Sequence, residues 1–151
     1  MLSVRYTFSI FRKHEQMKKK QKASDNNKIE RQLFHGTSSD VVGAICKQNF
    51  DHRVHGKNGT AYGEGSYFAV KASYSNRYST GERTRFMFLA SVLTGEYKLG
   101  KKKLRRPPLK DPENPASDLY DSCVDNEDKS TIFVIFSDEQ CYPSYLITYS
   151  V

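Results

Sequence analysis

Several residue types and patterns on which whole classes of protein depend are scarce or absent in this chain. Of its 151 residues only three are cysteine, Cys46, Cys123 and Cys141, and no CxxC spacing occurs. Three thiols cannot all pair, so we predict no disulfide framework and a reducing, intracellular setting. No apolar run approaches the length of about 18 residues that a membrane span needs, and the opening MLSVRYTFSIFRK has no signal-like apolar core. These absences argue against a membrane protein and against secretion.

Catalytic sequence motifs are equally scarce. The chain has no P-loop, no GxGxxG after a predicted strand and no Ser, His and Asp arrangement typical of a hydrolase. Cys46, His52 and His55 lie near one another in the sequence, but their spacing matches no common zinc finger and no fourth ligand lies nearby. We therefore predict that the protein binds no metal.

Aromatic residues are plentiful by contrast, although tryptophan is absent. Ten Tyr and nine Phe make up 13% of the chain, and hydrophobic residues make up 37%. Such a composition is typical of a packed globule and not of a disordered chain. The length suffices for one hydrophobic core and is short for two, so we predict a single domain.

Positive charge is concentrated in one part of the chain. Segment 98–110, KLGKKKLRRPPLK, carries seven Lys and Arg and no acid, and this equals the whole formal net charge of +7. Residues 1–110 hold 23 basic and 8 acidic side chains, whereas residues 111–151 hold 1 and 9. This asymmetry suits a polyanionic partner, either nucleic acid or a phosphorylated small molecule. A solvated loop is the simpler interpretation of the run alone, since charge by itself gives only nonspecific affinity.

Hydrophobic spacing predicts helices in the first half of the chain and strands in the second. We predict a helix from Val4 to about Lys22, a polar loop over 23–28 and a second helix, DVVGAICKQNF, capped by Ser38 or Ser39. Predicted strands include SYFAV, MFLASVLTGEYKLG with a turn at its TG pair, STIFVIF and SYLITY. A Gly-rich polar loop spans 51–65, and RRPPLKDPENPASD is irregular because of its prolines. This order of elements predicts the α+β class.

Polar side chains at the ends of apolar strands are the candidates for chemistry. His35 follows an apolar LF pair and precedes Gly36, so an imidazole nitrogen and a glycine backbone lie side by side. Tyr67 follows the Gly-rich loop, Tyr78 is eleven residues further on, and Ser75 lies one helical turn before Tyr78. Two rings and a hydroxyl near such a loop suit a flat ring that bears an amide. A structural histidine and ordinary core tyrosines explain the same pattern when each is taken alone.

Taken together, these segments resemble a known family. LFHGTS, NFD, YGEGSYFAVKASYSNRYS, MFLASVLTGEY, RRPP, LYDSCVD, TIFVIF and YPSYLITY occur in the order found in the poly(ADP-ribose) polymerase catalytic domain. The chain is most similar to the mono-ADP-ribosyltransferase branch, and within it to the dioxin-inducible and CCCH-zinc-finger members. The resemblance runs from about Ile29 to Tyr149. It implies an intracellular protein, nuclear or cytoplasmic, with NAD+ as co-substrate, no metal, and acceptor proteins that include the enzyme itself.

The resemblance also implies a fold and a division of the chain. The ADP-ribosyltransferase fold has split, mainly antiparallel β-sheets flanked by short helices. Residues 1–28 would form a leading helix and a basic polar loop, and residues 29–151 the catalytic core, together one domain. Because the family domain normally begins earlier, we expect this chain to lack the leading strand and helix.

Site residues follow from the same resemblance, position by position. Of the family's His-Tyr-Glu triad, His35 is implied to bond a ribose 2′-hydroxyl of NAD+ and Tyr67 to pack on the nicotinamide. The Gly36 backbone and the Ser75 hydroxyl are implied to hold the carboxamide, and Tyr78 to stack on the opposite face of the ring.

The third triad position is occupied by Ile132. Polymerising members have a glutamate there, which activates the growing chain, whereas isoleucine has no proton acceptor. The resemblance therefore implies transfer of a single ADP-ribose. Arg53, in the segment that matches the family's donor loop, is a candidate contact for the NAD+ phosphates, and Glu64 replaces the Lys or neutral residue of many members.

Two other functions compete with this hypothesis. The chain could be a catalytically weak or inactive module with an NAD+-binding fold, although His35 and Tyr67 argue against that. It could also be a basic RNA-binding domain, because of segment 98–110 and the ten tyrosines, but no aromatic-bearing sheet motif of the usual kind is visible.

Overall fold

A sheet of eight strands carries the fold in this computed structural model, which describes residues 2–3, 8–21, 29–51, 53 and 60–151. The strands are β1 (Leu2–Ser3), β2 (Glu30–Thr37), β3 (Ser66–Ala69), β4 (Thr84–Leu93), β5 (Tyr97–Leu99), β6 (Ser122–Val124), β7 (Ile132–Ile135) and β8 (Cys141–Ser150). Their order across the sheet is β1-β8-β4-β2-β3-β7-β6-β5. All neighbours are antiparallel except β5 and β6, which run parallel. The predicted α+β class is confirmed.

The sheet nearly divides between β2 and β3. All eight residues of β2 pair with β4, but on its other edge β2 pairs with β3 at a single position, Phe34 opposite Ala69. Two four-stranded halves therefore meet at one backbone pair. The split expected from the resemblance is present in this form, as a narrow junction within one continuous sheet.

Within the described ranges, three helices and two 310 turns accompany the sheet. They are α1 (Phe8–Gln21), α2 (Ser39–Gln48), α3 (Ala72–Ser75), and the turns Asn76–Tyr78 and Asp138–Gln140. The predicted start of α1 at Val4 and the polar loop 23–28 lie outside the described residues. Ser38 occupies the N-cap position of α2 as predicted, but its side chain makes no capping hydrogen bond in the described structure.

Asn49 ends α2 and connects it to the start of β8. Its φ of 68° is in the left-handed region, which asparagine tolerates better than most residues. Its buried side-chain amide donates to the carbonyl of Asp138 at 2.8 Å and to that of Cys141 at 2.9 Å. A helix end and the start of β8 are therefore joined through one side chain.

Helices α1 and α2 cover opposite faces of the sheet. Side chains alternate along a strand, so Leu33 and Glu30 of β2 point to different faces. Leu33 packs in the main core with Ile45 of α2, whereas Glu30 forms an ion pair with Lys18 of α1 at 2.5 Å. The largest fully buried side chains of this core are Phe68, Phe88 and Phe133.

Some elements differ from the sequence predictions and others match them. Strand β1 was not among the strands predicted from the sequence, and its Leu2 pairs with Leu146 of β8. The predicted turn after β4 is confirmed, with Gly95 at a φ of 52°. Beyond it, β5 pairs with β6 and does not return to β4. None of the described helices is both long and apolar enough to cross a membrane.

Candidate active site

A cavity of about 210 Å³ opens where β2 and β3 diverge. Both strands contribute to its wall, together with α2, α3 and the 310 turn that follows α3. Five predicted site residues line it: His35, Gly36, Tyr67, Ser75 and Tyr78. The narrow junction of the sheet therefore brings together residues that lie up to 43 positions apart in the chain.

His35 is held by a backbone carbonyl and an aromatic wall. Its Nδ1 lies 2.7 Å from the carbonyl oxygen of Tyr67. A carbonyl only accepts, so Nδ1 must carry the proton, and in a neutral imidazole Nε2 is then the acceptor. The ring packs edge-on against Phe50, with centroids 4.9 Å apart, and lies 5.3 Å from Phe68. The Nδ1 contact and the aromatic packing thus fix the orientation of this ring at the cavity wall.

Tyr67 is fixed at its phenol end. Its hydroxyl donates to the carbonyl of Gly63 at 2.8 Å and accepts the backbone N–H of Tyr62 at 3.0 Å. Burial raises the pKa of the Tyr67 phenol, and the N–H of Tyr62 opposes this shift only in part. The ring is therefore a neutral, immobilised wall of the cavity and well suited to stacking.

Gly36 and Ser75 lie close enough that no side chain fits between them. A Cβ on Gly36 would lie 1.9 Å from the carbonyl oxygen of Ser75. The Ser75 hydroxyl donates to the carbonyl of Phe34 at 2.9 Å, so this carbonyl points away from β4. Backbone groups two residues apart in a strand face the same edge, which places the N–H and C=O of Gly36 on the cavity side. A planar amide can bond to both.

Tyr74 is a cavity residue that the sequence analysis missed. Its hydroxyl lies 3.2 Å from that of Tyr78, and the ring centroids are 5.7 Å apart. Burial and then the hydrogen bond to Tyr78 raise the pKa of the Tyr74 phenol well above its ordinary value. Tyr74 lies four residues before Tyr78, and this helical spacing was the signal that could have identified it.

Phe50 and Asp51 also line the cavity without having been assigned a role. Phe50, only 3% exposed, supplies the edge that supports His35. Both residues belong to the NFD motif, so the motif itself contained the signal. Their position depends on how α2 ends, which local sequence patterns do not reveal.

Ile132 and Arg53, two predicted site residues, are not part of the cavity wall. Ile132 begins β7 opposite Ala69 and is 7% exposed, so it lies on the sheet face of Ala69 and Tyr67, one strand away from the cavity. Arg53 donates from Nε and Nη2 to the carboxylate of Asp51 at 2.9 and 3.0 Å. Most of the predicted donor loop, 52 and 54–59, lies outside the described residues.

Metal ligation finds no support in the part of the chain that is described. No group of three His, Cys, Asp or Glu side chains there is arranged to hold an ion. All three cysteines are described and none forms a disulfide. His52 and His55, considered above as ligands, lie outside the described residues.

At the junction of the split α+β sheet the protein therefore has a cavity walled by a histidine, a glycine backbone, a serine and tyrosine rings. The family model of the poly(ADP-ribose) polymerase catalytic domain matches residues 2–151. The chain therefore belongs to that family, and the resemblance stated from the sequence is confirmed.

Individual relatives carry a more specific name. Protein mono-ADP-ribosyltransferase PARP12 of Mus musculus is 53% identical over 122 residues, which cover 80% of this chain and 17% of that protein. PARP11 of the same species, also named a protein mono-ADP-ribosyltransferase, is 43% identical over an alignment of 159 positions, gaps included, which covers 91% of this chain and 47% of that protein. PARP14 of Homo sapiens, under the same name, is 43% identical over 140 residues, with 89% and 8% covered. The chain thus spans less than half the length of each of these relatives.

Proposed function

We propose that this chain is an NAD+-dependent protein mono-ADP-ribosyltransferase, a pentosyltransferase that moves one ADP-ribose to a protein side chain and releases nicotinamide. The observation that supports this most is the convergence of His35, Gly36, Tyr67, Ser75 and Tyr78 on one cavity. The printed names of the relatives point to the same activity.

In the proposed complex the nicotinamide ring lies between Tyr67 and Tyr78. Its carboxamide bonds to the backbone N–H and C=O of Gly36, and its amide N–H donates to the oxygen of the Ser75 hydroxyl, whose own proton goes to the Phe34 carbonyl. The Nε2 atom of His35 accepts a hydrogen bond from a ribose hydroxyl. Each of these roles uses a group that the surrounding contacts already orient, so little ordering is needed when NAD+ binds.

The chemical step breaks the bond between the anomeric carbon and the nicotinamide nitrogen. The bonding electron pair leaves with nicotinamide, and positive character develops on the ribose ring. A preoriented polar site stabilises that charge in the transition state. A nucleophilic atom of the acceptor side chain then bonds to the anomeric carbon, and the acceptor's proton passes to solvent or is already absent.

Ile132 bears on how many residues of ADP-ribose are added. Its aliphatic side chain offers no base to activate a ribose hydroxyl of an attached ADP-ribose, so no second ADP-ribose is added to the first. Loss of one positioned base typically slows a step by about 10²–10⁴-fold. We therefore expect slow turnover and an acceptor that supplies its own ionised side chain, a carboxylate or a thiolate.

The decisive experiment is incubation with labelled NAD+ followed by mass spectrometry of the modified residues. The expected result is a mass increment that corresponds to one ADP-ribose unit per modified site, on an acceptor protein or on the enzyme itself. A ladder of polymer on a gel of the labelled products would contradict the role given to Ile132.

His35→Ala tests the site directly. We expect labelling to fall to background, because the hydroxyl acceptor and the support of Phe50 are both lost. Gln32→Ala, an exposed residue of the same strand, is the matched control and should label as wild type. Full labelling by a folded His35→Ala protein would refute the assignment.

The inactive-module hypothesis makes a different prediction. Such a protein would bind NAD+ in calorimetric titration without labelling any acceptor. It would also bind benzamide, which carries the same ring carboxamide as nicotinamide. Binding together with labelling excludes it, and the absence of both refutes the proposed function as well.

Two further expectations remain proposals. RNA binding through segment 98–110 would show as affinity that falls steeply with salt and does not change in Tyr78→Ala. An intracellular location, nuclear or cytoplasmic, is proposed from the three unbridged cysteines. Imaging of the tagged full-length protein tests it.

A further inference from the structure

A strongly basic segment, residues 101–106, borders the proposed active site. The carbonyl of Leu104 accepts the backbone N–H of Glu64 at 2.7 Å. The preceding residue, Gly63, has its carbonyl bonded to the Tyr67 phenol, and the following residue, Gly65, lines the cavity. One backbone hydrogen bond, between Glu64 and Leu104, therefore connects the basic segment to the cavity wall.

Most of the positive charge in this segment has no counter-ion among the described residues. Arg105 is the exception, since its Nε lies 3.4 Å from a carboxylate oxygen of Glu64. The other four cationic side chains are exposed, and no ion pair to another described residue involves them. They are Lys101, Lys102, Lys103 and Arg106. Four cations are thus displayed to solvent next to the site where an acceptor side chain must approach.

The segment is anchored at both ends, so the charges have a defined position. Gly100 donates its N–H to the carbonyl of Val124 at 2.9 Å, and its Cα packs so closely on Tyr62 that a Cβ would lie 2.1 Å from the Tyr62 carbonyl oxygen. At the other end, Pro107 is buried and the carbonyl of Pro108 accepts the N–H of Tyr120 at 3.0 Å. An ordered array of charge binds a partner at a lower entropic cost than a free tail does.

We propose that residues 101–106 form a docking surface for an acidic segment of the acceptor protein. The proposal rests on the proposed function and adds a determinant of acceptor choice. Acidic side chains flanking the modified residue would pair with the lysines and hold the acceptor at the cavity.

Charge complementarity calls for an anionic occupant, and the lack of aromatic residues in the segment favours an acidic polypeptide over RNA. Proteins that bind single-stranded RNA combine basic groups with aromatic side chains on which bases stack. Segment 98–110 contains no aromatic residue. An acidic peptide needs only the cations, and its acceptor side chain must reach the neighbouring cavity for transfer.

Fluorescence anisotropy with two labelled decapeptides tests the docking surface without any catalysis. One peptide alternates Glu and Gly, and the other alternates Gln and Gly. We expect the full chain to bind the Glu peptide at least about tenfold more tightly at low ionic strength, with the difference lost at about 1 M salt because the Debye length falls to about 3 Å. Equal affinity for the two peptides overturns the proposal.

Charge reversal locates the binding to this segment. The triple variant Lys101→Glu, Lys102→Glu, Lys103→Glu should lose about tenfold or more in affinity for the Glu peptide. The matched control reverses three exposed lysines of α1, Lys13→Glu, Lys19→Glu, Lys20→Glu, and should stay within about twofold of wild type, because α1 packs elsewhere, on β8 and the 138–140 turn. Equal losses in both triple variants would show a net-charge effect only and refute the docking surface.

Two further measurements separate this proposal from the proposed function and from RNA binding. With an acceptor peptide flanked by Glu, kcat/KM for labelling should fall in the 101–103 triple variant through a higher KM, while benzamide affinity does not change. Labelling that is unaffected by the triple variant refutes docking but leaves the transferase intact. Tight binding of a fluorescent ten-nucleotide uridine RNA, with no binding of the Glu peptide, refutes docking in favour of RNA.

Discussion

Individual atoms determine the shape of the proposed nicotinamide slot. Gly36 supplies space where a methyl group would meet the carbonyl of Ser75, and His35 takes its orientation from one backbone oxygen. The two tyrosines that form the slot are each fixed through their hydroxyls, Tyr67 to a glycine carbonyl and Tyr78 to Tyr74. Small substitutions should therefore have large and specific effects.

Gly36→Ala should narrow the slot and strain the fold. The new methyl must push α3 away from β2, at a cost of about 1–3 kcal/mol in the free energy of unfolding, and benzamide binding should be lost. Thermal unfolding and calorimetric titration measure both effects.

Gly43→Ala provides the matched control for that substitution. A Cβ there meets nothing within 4 Å, and the residue lies in α2. Alanine should stabilise the protein by about 0.5–1 kcal/mol because it restricts the unfolded chain and favours the helix. Equal destabilisation by both variants would contradict the contact between Gly36 and Ser75.

Tyr74→Phe should weaken ligand binding although Tyr74 is not assigned to the carboxamide. Removal of its hydroxyl takes away the hydrogen bond that positions the Tyr78 ring, and such a bond contributes about 0.5–1.5 kcal/mol. We expect benzamide affinity to fall by roughly two- to tenfold.

Tyr78→Phe breaks the same hydrogen bond from the other side. The two single variants and the double variant form a cycle, and the double variant should lose no more affinity than either single variant. Additive losses would show that the two hydroxyls act independently.

At the scale of elements, the position of α1 depends on a polar cluster at the sheet. His14 is only 3% exposed, and its Nε2 atom lies 3.4 Å from the hydroxyl oxygen of Ser91. Ser91 in turn donates to Glu30, which is the partner of Lys18. Burial raises the pKa of Glu30, but hydrogen bonds from Lys18 and Ser91 together leave it below its ordinary value. An ionised carboxylate thus joins helix and strand.

The pH dependence of stability should report on this cluster. Burial lowers the pKa of His14 below 6.5. The charges of Glu30 and Glu15 and the backbone of Glu139 oppose this shift, and the charge of Lys18 adds to it. The unfolded chain therefore binds the proton more tightly. The contribution of neutral His14 to the free energy of unfolding is complete above about pH 6.5. It is lost as the pH falls towards the pKa of His14 in the folded protein, with a slope of up to about 1.4 kcal/mol per pH unit.

Chemical unfolding between pH 5 and pH 8 measures that slope. His14→Phe retains the ring contact with Tyr142 but cannot titrate, so its profile should be flatter in this range. The same slope in the variant and in wild type would assign the effect to other groups.

Elements whose boundaries depend on local pattern were predicted well, and those that depend on distant pairing were not. Apolar runs revealed β3 and β7, and Gly95 revealed the turn between β4 and β5. Strand β1 has only two residues and exists because β8 offers it an edge, which no local signal reveals. The spacing from Tyr67 to Tyr78 predicted one aromatic pair of the site, whereas Phe50 reaches the cavity only through the way α2 ends.

At the scale of the whole molecule, a ligand in the cavity contacts both halves of the sheet. His35 and Gly36 belong to one half and Tyr67 to the other. Since the halves share a single backbone pair, a bound ring should stabilise the whole molecule against unfolding.

Benzamide at a hundredfold excess over its Kd should add about 2.7 kcal/mol of stability. For a chain of 151 residues this corresponds to a rise in Tm of about 5–10 °C. Differential scanning calorimetry measures the shift, and benzoate, which lacks the amide donor, is the control ligand. An equal rise with benzoate would contradict recognition of the carboxamide by Gly36.

The single backbone pair between β2 and β3 also bears on the proposed recognition of an amide, because the described β2–β3 pairing stops before Gly36. If the ladder continued past Phe34 and Ala69, the N–H and C=O of Gly36 would bond to a neighbouring strand and the slot would be closed. A primary carboxamide has the same N–H donor and C=O acceptor as a peptide unit. A ligand that carries one therefore makes with Gly36 the two hydrogen bonds that a neighbouring strand would otherwise make.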